Sequence, residues 1–198
     1  MSAAGTQSNN RPATHGRLAR IRPVGLGFSS RTISVADEAR FTVVKDTREQ
    51  QGWTFHAGKS CAGMEVGTLK TGDYSLRGLE TLLTIERKGS VEEFAGNVTQ
   101  ARFERELERM RDYPHAFLVL EFTMDDLLRF PYGGNIPRHK IPYIRVKGPF
   151  LMRRLLEIQV HYPVKVILAG KHGQDVAHQI FRRVLDVHQR PGPDQAAD

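Results

Sequence analysis

Two short runs of this sequence place acidic side chains and a lysine at a spacing that suits phosphate chemistry. Gly72-Asp73-Tyr74 predicts a turn that leads into an extended segment. The apolar, β-branched run at 81–85 predicts a buried strand, and Glu86-Arg87-Lys88 follows at its carboxyl end. Because side chains alternate faces along a strand, Glu86 and Lys88 share one face and Arg87 takes the other.

The expected consequence is a cluster of two carboxylates and one ammonium. If the turn folds back along the strand, Asp73 faces Glu86, and two adjacent carboxylates repel each other unless a cation lies between them. Mg²⁺ and Mn²⁺ prefer oxygen ligands of this kind. A lysine such as Lys88 beside the metal can neutralise a phosphate or position the attacking water. Taken alone, either run is more often an ordinary turn or a solvated charge run; in this order they predict a divalent-metal site.

The pattern resembles the metal-dependent nuclease fold shared with many restriction enzymes, whose signature is an acid followed by acid-x-Lys. The closer resemblance is to the XPF-type (ERCC4-domain) structure-specific endonucleases, whose hallmark reads Gly-Asp-x(n)-Glu-Arg-Lys-x(3)-Asp. Gly72-Asp73 and Glu86-Arg87-Lys88 match this hallmark, whereas Glu92 stands where the final Asp is expected. The resemblance covers residues 41–188 and implies an α/β, restriction-endonuclease-like three-layer fold around a mixed sheet.

The resemblance also implies the roles of further residues near the ends of other elements. In XPF-type enzymes the first strand ends in Asp-x-Arg-Glu, as residues 46–49 do here. This implies that Asp46 and Glu49 are candidate metal ligands or acids that support the ligands, that Asp46 or Glu49 joins Asp73 and Glu86 at the metal, and that Arg48 contacts phosphate. The expected catalytic set is therefore Asp46, Glu49, Asp73, Glu86, Arg87 and Lys88, with Arg87 either buttressing the strand end or contacting phosphate. Taken alone, Asp46 would be read as the cap of a turn.

Two further segments are candidates for binding nucleic acid. In XPF-type enzymes, the helix that follows the motif carries an Arg and, four residues on, a Gln. Here Arg102 matches the Arg, and Glu106 replaces the Gln. The two residues could equally form an ordinary ion pair along the helix. Residues 123–148 are expected to be an irregular loop in which basic residues, among them Arg138 and Lys140, alternate with tyrosines. Such a loop suits a nucleic-acid surface, but it also suits a simple solvated loop.

The remaining elements follow from hydrophobic periodicity. Ser90 and Glu93 indicate a capping box at a helix start. Strands are expected at 41–45, 64–69, 81–86, 116–122 and 164–169, and the longer helices at 99–113, 150–160 and 175–187. Glu121 ends the fourth strand either as an acid supporting the site or as a satisfied edge residue.

Composition limits the remaining possibilities. The 198 residues carry a net charge of +7 and a single cysteine, which favours an intracellular, soluble protein with a polyanionic partner. Residues 1–40 hold six Arg and two acids and are expected to be a disordered basic arm, either a phosphate-binding tether or a plain linker. Residues 41–188 are expected to form the nuclease domain, and residues 189–198 a loose tail.

The leading hypothesis is a Mg²⁺- or Mn²⁺-dependent endonuclease that cuts branched or flapped DNA in repair or recombination. The alternative is a subunit with a nuclease fold that binds DNA or a catalytic partner without cutting, although inactive copies typically lose the acids that this chain keeps. RNA is a weaker alternative substrate. No pair of helix-hairpin-helix units, common in XPF-type enzymes, fits into the sequence after residue 188. A homodimer through the last helix is expected, with Phe181 and Leu185 partly exposed.

Overall fold

The computed structural model describes residues 40–189, so the predicted arm and tail lie almost wholly outside the described part. A six-stranded sheet has the order β2-β1-β3-β4-β5-β6. Its strands are β1 (Phe41–Asp46), β2 (Cys61–Gly67), β3 (Tyr74–Leu76), β4 (Leu83–Lys88), β5 (His115–Leu120) and β6 (Lys165–Leu168). The helices are α1 (Val91–Asn97), α2 (Ala101–Met110), α3 (Met124–Arg129), α4 (Gly148–His161) and α5 (Gly173–Gln189), with short 3₁₀ helices at Arg138–Tyr143 and Gly170–His172.

Strand direction explains why one edge of the sheet gathers functional side chains. Strand β3 is antiparallel to both β1 and β4, so β1 and β4 run in the same direction. Strands β2, β5 and β6 pair parallel to their neighbours. Five strands therefore end at the same edge, the place where open α/β sheets bind ligands. The mixed sheet that the resemblance implied is confirmed.

The two faces of the sheet carry separate apolar clusters, as strand alternation requires. On one face, α1 to α4 pack against β5 and β6 through residues that include Phe94, Phe103, Leu118 and Leu151. On the other, α5 and the segment around Trp53 pack against β1, β3 and β4. The arrangement is a three-layer α/β/α fold, in agreement with the sequence prediction.

Three expectations about individual segments are wrong. Strand β2 begins at Cys61 rather than at 64, paired along β1. Residues 123–148 are not wholly irregular, because Thr123 caps α3 with a full capping box to Asp126. Phe181 is fully buried, since its ring packs on Phe41 and Phe55. No helix among residues 40–189 is both long and apolar enough to cross a membrane.

Candidate active site at the carboxyl edge of the sheet

Gly72 makes the turn that delivers Asp73 to the site. Its φ of +77° is a conformation that favours glycine, and a Cβ there would lie 2.1 Å from Oγ1 of Thr84. The turn is fixed on both sides, because Asp73 N donates to Ile85 O at 2.8 Å and Asp46 N donates to Asp73 O at 2.8 Å. Asp73 thus lies between the ends of β1 and β4, beside Glu86, as the sequence predicted.

Strand β4 brings Glu86 and Lys88 into direct contact on its helix-covered face. Nζ of Lys88 donates to Oε1 of Glu86, and both side chains are buried. Burial, followed by the charge of Asp73, raises the pKa of Glu86 well above its ordinary value. Burial lowers the pKa of Lys88, but the Glu86 carboxylate outweighs that effect, so the pKa is raised overall.

Asp73 shares this crowded negative environment. Burial raises its pKa to about 6, and the carboxylates of Glu49 and Glu106 act in the same direction. The amide of Arg87, which donates to Oδ2 of Asp73 at 2.8 Å, and the charge of Lys88 lower the pKa only in part. The free protein therefore holds its two acids at an energetic cost that a bound cation would relieve.

Of the three residues expected to act at the end of β1, two line the cleft and one does not. Asp46 is buried and does not line the cleft, because Oδ1 accepts from the amide and Nε of Arg48, and Oδ2 from Arg48 Nη2 and the amide of Leu69. Burial raises the pKa of Asp46, but these hydrogen bonds hold it below its ordinary value. Arg48 and Glu49 line the cleft, and the Arg48 side chain is 61% exposed. Glu49 therefore lines the cleft beside Asp73, whereas the carboxylate of Asp46 is turned to Arg48 and Leu69.

Helix α1 contributes an acid that the sequence reasoning did not assign to the site. Oγ of Ser90 accepts from the amide of Glu93 at 3.2 Å, which is half of the predicted capping box. The Glu93 side chain does not complete the box: Oε2 accepts from Gly89 N at 2.8 Å, and Oε1 lies 3.7 Å from Nζ of Lys88. Its position in the first turn after Lys88 could have indicated this role.

Helix α2 lines the opposite wall of the cleft. Arg102 and Glu106 both face the cleft, but they form no ion pair with each other in residues 40–189. The exposed guanidinium of Arg102 is thus available to an anion. Side-chain and backbone atoms together enclose a polar cleft of about 270 Å³, lined by Arg48, Glu49, Gly72, Asp73, Glu86, Arg87, Lys88, Glu93, Asn97, Arg102 and Glu106.

The side chains of the cleft fit a hard divalent cation. Oε2 of Glu86 is buried and has no hydrogen-bond partner, although a buried carboxylate oxygen ordinarily has one. Within residues 40–189 no three His, Cys, Asp or Glu side chains form a ready-made metal site. Mg²⁺ does not require one, because it keeps several waters and is often held by one or two carboxylates plus substrate phosphates. Asp73 and Glu86 are the two carboxylates placed for this.

The side chain of Arg87 supports the opposite face of the strand. Its Nη2 forms an ion pair with Oε2 of Glu121, and Oε1 of the same carboxylate accepts from Nε1 of Trp53 at 2.6 Å. Both carboxylate oxygens of Glu121 therefore have partners, and the residue helps to hold β4 in place through Arg87. Of the two roles expected for Arg87, this geometry favours buttressing the strand.

The other two predicted nucleic-acid contacts lie outside the cleft. Arg138 and Lys140 are exposed on the 3₁₀ helix Arg138–Tyr143. The loop that carries them is tied to α1 by Glu92, whose Oε1 accepts from Asn135 N at 3.1 Å. Glu92, at the position of the family's last Asp, thus anchors this loop and does not line the cleft.

Comparison with known proteins agrees with this geometry. A scan against protein families matches the ERCC4 domain over residues 45–180, which includes the end of β1, all of β2 to β6 and most of the helices described above. The chain belongs to the ERCC4 domain family. This is a family of structure-specific DNA nucleases, so the resemblance drawn from the motif residues is confirmed. Among curated proteins no match was found.

Two solved structures resemble the fold. XPF from Aeropyrum pernix matches with a TM-score of 0.50 and 17% identity over 76% of this chain. The same protein in complex with DNA matches with a TM-score of 0.51 and 16% identity over 77% of this chain. This chain spans 63% and 69% of those two chains. At such identity the likeness shows a common ERCC4-type fold, which is restriction-endonuclease-like.

Proposed function

We propose that this protein is a Mg²⁺- or Mn²⁺-dependent endonuclease that hydrolyses phosphodiester bonds of DNA at branched or flapped sites. The observation that carries the proposal is the partnerless, buried oxygen of Glu86 beside Asp73 and Lys88 in an open polar cleft. Membership of the ERCC4 domain family supports the substrate class.

The residues of the cleft divide the work as follows. Asp73 and Glu86 would hold the cation, and Glu49 adds charge at its side. When bound, the cation would stabilise charge that develops on the phosphate and lower the pKa of an attacking water. Because its pKa is raised, Lys88 stays protonated at neutral pH; it therefore serves as a positive hydrogen-bond donor rather than as a base. Arg48 and Arg102 are placed to bind the flanking phosphates.

The loop 129–147 extends the DNA surface beyond the cleft. It contains five Lys or Arg side chains and no Asp or Glu. Within residues 40–189, Arg138, Lys140 and Arg145 form no ion pair, so their charges are available to phosphates. Tyr132 and Tyr143 are 62% and 84% exposed, and exposed aromatic rings among cations are typical of surfaces that bind single strands.

Cleavage of labelled DNA tests the proposal. Purified protein would be incubated with Mg²⁺ and, in turn, duplex, flap and four-way-junction DNA, single-stranded DNA and RNA. We expect cleavage of the branched DNA substrates, and none by Glu86→Gln at equal concentration. Glu108→Gln, the same change on the exposed side of α2, controls for the substitution itself. Cleavage by Glu86→Gln at the wild-type rate would refute the assigned site.

The alternative is a DNA-binding subunit that does not cut. One observation favours it: burial raises the pKa of Glu86, which favours its neutral form in the free protein. Absence of cleavage with every substrate, together with metal-independent binding to branched DNA, would establish this alternative.

A homodimer through α5 forms part of the proposal, with a changed set of contacts. Phe181 is buried and cannot contribute to a contact surface. A shallow groove of about 670 Å³ runs along α5 and β5 instead, and its apolar lining includes Phe117, Val176 and Val187. Because apolar patches of this kind usually mark contact sites, a second copy of the chain is the expected occupant.

A further inference from the structure

Trp53 lies behind the catalytic cleft, on the opposite face of the sheet. It is the only tryptophan of the chain and is 5% exposed. Its ring stacks on Tyr74 with a centroid distance of 4.8 Å and an interplanar angle of 28°. Its Nε1 donates to Oε1 of Glu121 at 2.6 Å. None of these contacts belongs to the metal cleft itself.

These contacts link Trp53 to both proposed metal-binding acids. Tyr74 directly follows Asp73 on β3, and the partner of Glu121, Arg87, directly follows Glu86 on β4. Because neighbouring side chains point to opposite faces, Tyr74 and Arg87 meet Trp53 while the two acids meet in the cleft. The Arg87 guanidinium also lies 5.7 Å from the Trp53 ring.

The packing around this network leaves little freedom for movement. A Cβ on Gly173 would lie 2.5 Å from Oε1 of Glu121, and a Cβ on Gly52 would lie 1.7 Å from the hydroxyl oxygen of Tyr74. The amide of Arg87 in turn donates to Oδ2 of Asp73 at 2.8 Å. A displacement of Arg87 would therefore move Asp73 through the hydrogen bond from the Arg87 amide, and it would move Glu86 because the two residues are neighbours on β4.

We propose that Trp53, with Glu121 and Arg87, is a positioning residue that fixes the separation of Asp73 and Glu86 for the metal ion. This inference rests on the proposed function for the identity of the ligands. Replacing a residue that orients metal ligands without contacting the metal typically changes metal affinity or activity by about 10- to 100-fold.

The first test compares two aromatic substitutions in the same cluster. Trp53→Phe keeps an aromatic ring but removes the hydrogen bond to Glu121. Phe55→Leu is the control. Phe55 is equally buried and packs edge-on against the rings of Trp53 and Tyr74, but it makes only ring contacts and cannot donate a hydrogen bond. Mn²⁺ binding, followed by electron paramagnetic resonance of the free ion without DNA, gives the dissociation constant. We expect it to rise about tenfold for Trp53→Phe and less than twofold for Phe55→Leu.

Two outcomes would overturn the inference: an unchanged Mn²⁺ dissociation constant in folded Trp53→Phe, or an equal rise in Phe55→Leu, which would indicate general loosening of the core. Circular dichroism establishes that both variants are folded at the temperature used. Because no DNA and no turnover are involved, this result is independent of whether the protein cuts DNA.

The second test uses the tryptophan as its own reporter. Titration of the wild type with Mg²⁺ should change the emission of Trp53 saturably, since the charge of the ion at Asp73 and Glu86 lies one residue from Tyr74 and Arg87, which contact the indole ring. Asp73→Asn should abolish the change while keeping the emission of a buried tryptophan. The resonance titration first establishes that the wild type binds Mn²⁺ and that Asp73→Asn does not. If Trp53 emission in the wild type then fails to respond to Mg²⁺ in the same concentration range, the result would count against coupling between Trp53 and the two acids.

Discussion

The amide of Arg87 donates a 2.8 Å hydrogen bond to Oδ2 of Asp73, so the arginine of the Glu-Arg-Lys run holds an acid that lies 14 residues earlier in the chain. The same arginine sends its side chain through the sheet to Glu121. One residue thus joins the turn that carries Asp73 to the strand that carries Glu86. The proposed metal site depends on this junction. Replacing its charged residues with neutral ones should therefore change the stability of the fold and the activity of the site differently.

The raised pKa of Asp73 predicts how stability depends on pH. A carboxyl whose pKa is about 6 in the folded protein, above its ordinary 3.8, binds a proton more tightly when folded; the protein therefore loses stability as pH rises from 3.8 to about 6. Asp73→Asn should lack this loss and be more stable than wild type at pH 8, on the order of 1–3 kcal/mol. Urea unfolding without metal between pH 4 and 8 measures the difference.

Metal should reverse that order. At pH 8, Mg²⁺ should stabilise the wild type and leave Asp73→Asn nearly unchanged, because a ligand that binds only the folded state adds stability that grows with the logarithm of its concentration once this exceeds the dissociation constant. Glu108→Gln on the exposed face of α2 serves as the control and should follow the wild type in both conditions. Parallel pH profiles for wild type and Asp73→Asn would contradict the assigned burial and charge of Asp73.

The buried pair Glu86–Lys88 predicts non-additive effects. At pH 8, Lys88→Met should lower stability by about 3 kcal/mol, because the buried Glu86 loses its cation and must either stay charged without a partner or bind a proton from an alkaline solution. Adding Glu86→Gln to it removes the ionisable carboxyl and should recover most of the lost stability. Neither variant should cleave DNA. Additive losses of unfolding free energy in the double variant would show that the two side chains do not act as a pair.

The part of the site that follows from local sequence was predictable, and the part that depends on distant contacts was not. Alternation along one strand is enough to place Glu86 beside Lys88, and a glycine turn is enough to return Asp73 to them. The orientation of Asp46 depends on Leu69, 23 residues away, and Trp53 reaches Glu121 across 68 residues. No local pattern encodes such contacts. The burial of Phe181 likewise depends on β1, whose Phe41 covers its ring.

In the basic loop, we expect the tyrosines to recognise single-stranded DNA and the lysines and arginines to attract phosphate in any form of DNA. Tyr143→Ala should weaken binding of single-stranded DNA by about 1–3 kcal/mol and leave duplex binding nearly unchanged, since stacking requires unpaired bases. Lys140→Ala should weaken both and lower the slope of log affinity against log salt by about one. Fluorescence anisotropy in EDTA measures both. Lys59→Ala, a change just before β2 and hence at the opposite edge of the sheet, controls for loss of one charge. Equal losses for the two DNA forms in Tyr143→Ala would rule out stacking.

The α5 groove predicts how the proposed homodimer can be disrupted without unfolding the domain. Val187 lines the groove and is 61% exposed, so Val187→Glu adds a charge to the contact surface at little cost to the monomer. Val160→Glu on α4 makes the same change at a residue that is 79% exposed and outside the groove. Light scattering at micromolar concentration should give twice the chain mass for wild type and Val160→Glu, and the single mass for Val187→Glu, because a charge buried without a partner strongly opposes association. A single mass for the wild type would refute the homodimer, and a persistent double mass in Val187→Glu would place the contact elsewhere.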